Sequence, residues 1–172
     1  MNLVFDTFYF NENKANTICL AFEKWDASAP DFEFSEIKSG ISEYIPSEFY
    51  KRELPCILSL LDKIKTQIND ISCIIIDGFV FLDNEYKPGL GKHLFDSLNR
   101  KIPVIGVAKT NFATVEKLKS ELCRGESKTP LYISSVGIEM EDALNLVKNM
   151  HGNYRIPTLL KKVDTLTREF EI

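Results

Sequence analysis

The chain has 172 residues, of which 44% are hydrophobic and 27% charged, and carries a net charge of −4. This length suits one domain over residues 1–172 with a real core, and the balance excludes a disordered or fibrous polymer. No apolar run approaches the roughly 18 residues that cross a bilayer, and the opening residues lack the basic region and cleavage site of a secretory signal, so we expect no membrane partner; we also expect a monomer in the cytoplasm.

Residues 2–10 read as a strand, and Asn11-Glu12-Asn13 as a turn. A second strand over 16–25 is rich in Thr, Ile, Leu and Phe, and alternation over 32–37 gives a third. Connections this short make the three an antiparallel meander. Ile57, Leu58, Leu60, Leu61, Ile64 and Ile68 recur at helical spacing, which predicts a helix over 48–67. Residues 71–76 form a continuous apolar run that ends in Asp77-Gly78, the pattern of a buried central strand with a carboxylate at its lip. A helix over 89–99, a strand at 104–108, a short helix over 113–122, a strand at 131–134 and a helix over 139–150 follow. The tail from 151 contains Pro157 and ends in a short helix. Three antiparallel strands, then helices alternating with parallel strands, is the element order of a ribonuclease H-like α/β fold, a mixed sheet flanked by helices.

Cys19, Cys56, Cys73 and Cys123 form no CxxC pair, which argues for buried thiols rather than a zinc site or a disulfide framework. Charge is divided along the chain. Residues 1–86 hold 7 basic against 15 acidic side chains, a balance of −8, while residues 87–172 hold 14 against 10, a balance of +4. An acidic half suited to cations thus adjoins a basic half suited to phosphates, with Lys87, Lys92, Lys109, Lys128, Arg155, Lys161 and Lys162 as phosphate contacts.

In the expected sheet the middle of the first strand lies beside the end of the fourth, which brings Asp6 next to Asp77. Two carboxylates on adjacent strands make a hard oxygen site for magnesium, or manganese in its place. Acidic clusters of this kind hydrolyse phosphodiesters by holding divalent ions against the scissile group.

Several short motifs then fall in order. They are Tyr44-Ile45-Pro46 with Arg52-Glu53 and Pro55, Asp77-Gly78, Gly89-Leu90-Gly91-Lys92-His93, Pro103-Val104-Ile105-Gly106-Val107-Ala108-Lys109, Arg124-Gly125, Pro130-Leu131-Tyr132 with Ser134 and Gly137, Tyr154-Arg155-Ile156-Pro157, and Asp164 to Glu169. In this order and spacing the chain resembles the endonuclease V family over nearly its whole length. The resemblance implies a metal-dependent endonuclease that recognises hypoxanthine, the base of inosine, and cuts one nucleotide further on the 3′ side. It implies Asp6, Glu53, Asp77 and Asp164 as metal ligands and catalytic residues, expected to converge around one cation, with Lys109 beside the scissile phosphate. Tyr44, Ile45 and Pro46 match a wedge inserted between bases. Gly78, Gly89, Gly91, His93 and Gly137 fall at substrate-binding positions, where glycine lets backbone approach a flipped base.

The chain departs from that pattern where relatives have Asp-Gly-x-Gly and it has Asp77-Gly78-Phe79-Val80. Asp83 to Pro88 stand in place of His-Pro-Arg, Ser47 replaces the wedge glycine, and Gly137-Ile138 replaces Gly-His. Two further readings therefore stay open: a non-cleaving nucleic-acid-binding protein of the same fold, and a ribonuclease H-like nuclease without hypoxanthine specificity. DNA and RNA are not distinguished, because that choice rests on contacts to the 2′ position.

Overall fold

A computed structural model describes residues 1–11 and 13–170. In chain order the elements are β1 (Asn2–Phe10), β2 (Lys14–Phe22), β3 (Phe32–Ser39), α1 (Tyr50–Ile64), β4 (Cys73–Asp77), α2 (Leu90–Ser97), β5 (Val104–Ala108), β6 (Ser120–Leu122), β7 (Leu131–Val136), α3 (Met140–Lys148) and α4 (Thr158–Arg168). The strands make one sheet in the order β3-β2-β1-β4-β5-β7-β6. The expected meander is present, β1 pairing antiparallel with β2 and β2 with β3, and β4 then lies parallel to β1 and to β5.

Two expectations fail at the far edge of the sheet. Residues 120–122 are the strand β6 rather than the end of a helix, and β7 runs antiparallel to β5 rather than parallel. Both follow from the connection after β5. No helix crosses the sheet there, so the chain turns back over residues 109–119 and returns beside the strand it left. Within this segment Val115 is buried, and Leu122 pairs with Leu131. The expected short tail helix is α4, and Cys123 is exposed while the other three thiols are buried.

Strand alternation divides the core into two layers. Leu3, Phe5, Ile74 and Ile76 face α1 and α2, meeting Ile57, Leu60, Leu61, Ile64 and Leu94. Val4, Ile75, Ile105 and Val107 face α3 and α4, meeting Ala143, Val147, Leu159 and Val163. Burying each such side chain contributes roughly 1.5–3 kcal/mol, and β4 is buried on both faces because it sits mid-sheet with helices above and below.

Candidate active site

The register sets the first two acids. Phe5 pairs with Ile76 at the end of the parallel β1–β4 ladder, so Asp6 and Asp77, each one residue further, share the sheet face of Val4 and Ile75. That is the face covered by α4, where Asp164 follows the buried Val163. Glu53 comes from α1 on the opposite layer and is almost fully buried. The four acids line one cavity of about 370 Å³, together with Thr7, Phe49, Gly78, Lys109 and Arg168.

The electrostatics follow from crowding carboxylates away from water. Asp6 is pushed up to about 7, first by burial and then by the charge of Asp77, against the opposing N–H of Thr7, which donates to Asp6 Oδ1 at 2.9 Å. Glu53 is held well above the usual carboxylate range by burial, then by Asp6 and Asp77. Burial also raises Asp77, with the Lys109 ammonium acting the other way. Lys109 Nζ lies 3.5 Å from Asp77 Oδ2 and 3.7 Å from Asp164 Oδ2. Arg168 reaches Asp164 Oδ1 at 3.3 Å, with its guanidinium over the Phe8 ring.

The acids line a common space, yet among the described residues no three Asp, Glu, His or Cys side chains stand close enough to hold one ion. Lys109 occupies the gap between Asp77 and Asp164, and Arg168 holds the other oxygen of Asp164. The donor set nonetheless fits a hard divalent cation, since every donor is a carboxylate oxygen. Glu53 also receives no side-chain hydrogen bond among the described residues, and the charges that raise Asp6 are those a cation would offset.

A second cavity, also of about 370 Å³, adjoins the first and shares Phe49, Asp77 and Gly78 with it. Its wall is mostly apolar: Phe49, Tyr50, Phe79, Leu82, Leu90 and Phe112, with Ser47, Gly89, Thr110 and Asn111. Phe79 and Phe112 face each other with ring centroids 5.9 Å apart. Of the residues expected at substrate, Gly78 and Gly89 line this cavity, and Gly78 adopts a φ of +124° that favours glycine. His93 stands behind the wall, stacked on Tyr50 at 3.7 Å, and burial lowers its pKa. Gly91 packs against Val80 and Ile76 in the core. Gly137 lies elsewhere, against Phe95 and Pro103, where its missing side chain makes room for packing. Tyr44, Ile45 and Pro46 form an exposed loop just before the cavity residues Ser47 and Phe49.

Sequence reasoning missed Phe49, Phe79, Phe112 and Arg168. The aromatics sit in irregular segments with no periodicity to mark them. Arg168 had a signal in its spacing of four from Asp164 on one helix face. Several basic residues assigned to phosphates are engaged within the protein. Arg155 donates to the carbonyls of Thr129 (3.1 Å), Pro130 (2.9 Å) and Lys109. Lys92 pairs with Asp96 at 2.5 Å, and Lys162 pairs with Glu33. Lys87, Lys128 and Lys161 are exposed, with no ion pair among the described residues.

An acid-lined cavity at the ends of the central strands of a ribonuclease H-like sheet defines a nuclease. The chain belongs to the endonuclease V family, whose model, Endonuclease V, matches residues 4–165. Its fold is similar to that of endonuclease V from Ciona intestinalis, solved with a 24mer DNA containing an inosine followed by a ribo-adenosine. That match has a TM-score of 0.82 at 19% identity and covers 97% of this chain and 84% of that one. Human endonuclease V matches with a TM-score of 0.73 at 21% identity, over 97% of this chain and 82% of that one. The Streptomyces avermitilis enzyme gives 0.73 at 21% identity, over 96% and 78%. No curated protein sequence matches the chain, and no helix among the described residues is long and apolar enough to cross a membrane.

Proposed function

We propose that the protein is a magnesium-dependent endonuclease that cleaves the phosphodiester 3′ to a deaminated purine, inosine or deoxyinosine, in nucleic acid. One observation carries the reading. The acid cavity and an aromatic-walled pocket with room for a nucleobase are adjacent and share Asp77 and Gly78. A base turned out of the stack into the pocket would leave its backbone across the acids. The inosine-containing DNA bound by the Ciona relative supports the choice of base.

Asp6, Glu53, Asp77 and Asp164 would hold Mg2+ through carboxylate oxygens, Mn2+ serving in its place. When bound, the ion lowers the pKa of a water and offsets charge on the phosphoryl oxygens. The protein supplies the rest. Lys109, already between two carboxylates, would donate to a non-bridging oxygen of the scissile phosphate as negative charge builds there. Arg168, on the cavity wall, would steer the backbone as a second cation. Phe79 and Phe112 would stack on the extruded base, repaying part of the few kcal/mol that unstacking costs. A weakly paired lesion costs less to extrude, so base selection begins before any polar contact.

The test uses labelled strands with one inosine, in DNA and in RNA, beside unmodified controls, incubated with protein and Mg2+. We expect one nick 3′ to the inosine that vanishes in EDTA and in Asp77→Asn. Equal cutting of the controls would identify a nuclease without base preference, and binding without any cutting would identify a non-cleaving binder.

A further inference from the structure

The turn after β4 is fixed at four of the six backbone groups of Gly78, Phe79 and Val80. Gly78 N–H donates to Val107 O at 3.2 Å. The carbonyl of Phe79 accepts from Gly91 N–H at 3.3 Å, and that of Val80 accepts from Gly89 N–H at 2.9 Å and Lys92 N–H at 3.3 Å. The one tie made by a side chain comes from across the sheet, where Val80 N–H donates to Ser134 Oγ at 2.9 Å. Ser134 and Val80 are both fully buried. Ser134 lies on β7 opposite Gly106 of β5. A Cβ at residue 106 would come within 2.5 Å of Gly78 O and 2.6 Å of Ser134 Oγ. The hydroxyl therefore reaches the turn only through the space that glycine leaves.

We propose that Ser134 is a positioning residue for substrate selection, its hydroxyl holding the Gly78–Val80 turn against Gly106 and thereby setting the shape of the pocket beside Asp77. The inference rests on reading that pocket as the base site. Ser134 lines neither cavity, so it acts only through the turn, which places Gly78 and Phe79 in the pocket wall. Removing the hydroxyl leaves Val80 N–H as a buried donor without a partner, and such a turn shifts to find one. Asp77 is held separately, by its pairing with Val107 in the β4–β5 ladder. The loss should therefore fall on binding and discrimination rather than on the chemical step.

The experiment measures kcat and KM on matched inosine and adenine strands with Mg2+, for wild type, Ser134→Ala, Ser134→Thr and Gly106→Ala. Melting curves and hydrogen exchange at the Val80 amide accompany them. We expect Ser134→Ala to raise KM for inosine roughly tenfold, the scale of one lost hydrogen bond, with kcat within about twofold, a lower inosine-to-adenine ratio and faster Val80 exchange. Ser134→Thr, which keeps the oxygen, should restore KM. Gly106→Ala, whose Cβ would fill the space between the hydroxyl and the turn, should reproduce the Ser134→Ala defect. Wild-type KM and ratio in Ser134→Ala would overturn the positioning role, as would unchanged Val80 exchange should that variant melt too low for kinetics. A wild type that cuts both strands equally would instead sink the base-site reading itself.

Discussion

Replacing Asp6 with Asn should make the metal-free protein more stable above neutral pH while abolishing cleavage. Burial and Asp77 raise the Asp6 pKa from 3.8 to about 7. A carboxyl whose value rises on folding favours the folded state while protonated. Its contribution is complete below pH 3.8 and is lost as pH climbs to about 7. A difference of about 3 units at 1.36 kcal/mol each corresponds to about 4 kcal/mol withdrawn by pH 8. Asn is nearly isosteric, keeps an oxygen to accept from Thr7 N–H, and carries no charge at any pH. It also relieves Glu53, for which Asp6 is the largest cause of the raised value after burial.

Urea unfolding in EDTA at pH 5 and pH 8 reads this directly. Asp6→Asn should exceed wild type by about 4 kcal/mol at pH 8 and by about 1.6 kcal/mol at pH 5. For a chain this long that is a Tm gap of about 8–15 °C at the higher pH. Magnesium should narrow the gap at pH 8 by stabilising wild type alone. A variant less stable than wild type at pH 8, or a gap equal at both pH values, would refute the account of the acid cluster as repulsive and desolvated.

Three smaller outcomes follow from the same geometry. Phe112→Ala removes one ring of the facing pair and should raise KM for inosine strands roughly tenfold, the scale of one base–aromatic stack, with kcat little changed in steady-state kinetics. Arg155→Ala loses donors to three carbonyls and should lower stability by about 1–3 kcal/mol, leaving the salt dependence of nucleic-acid binding unaltered because its guanidinium is not free for phosphate. A thiol reagent should modify Cys123 in the native protein and reach Cys19, Cys56 and Cys73 only after denaturation, with the count read by mass spectrometry.

The parts of the fold legible in the sequence are those with one dominant period. The apolar run before Asp77 could only be a strand covered on both faces, and the α1 stripe from Ile57 to Ile64 could only be a helix packed on one. The adjacency of Asp6 and Asp77 followed from strand order, because parallel register carries a residue's neighbour across the ladder. The far edge was not legible. A three-residue strand such as β6 has no period, and the direction of β7 depends on a connection whose path residues 109–119 do not announce. In the site, charges and motifs pointed to the acids. The position of Lys109 between two of them, and the ring of Phe49, Phe79 and Phe112, arise only from tertiary packing.

Two of the departures from the family pattern, at Phe79-Val80 and at Asp83 to Pro88, bear on one wall of the pocket. Val80, where relatives have glycine, is fully buried, with its Cα and Cγ2 against Gly91, so its side chain belongs to the core and not to the pocket. Phe79 is the residue of that pair that reaches the pocket wall, where it meets Phe112. The segment from Asp83 to Pro88, in place of His-Pro-Arg, is tied to the loop that carries Phe112. Asn84 Oδ1 accepts from the N–H groups of Glu116 (2.8 Å) and Lys117 (2.9 Å), and Thr114 Oγ1 donates to Leu82 O at 2.6 Å. These changes therefore act on one wall, adding aromatic surface and fastening the loop behind it, while the four acids line the adjoining cavity. If the pocket is the base site we propose, a wall altered in this way would gain stacking, which every base can use, and discrimination would fall to the backbone of the turn after Asp77. The shape of that turn, rather than any side chain in the pocket, would then be the feature on which selectivity for a deaminated base depends.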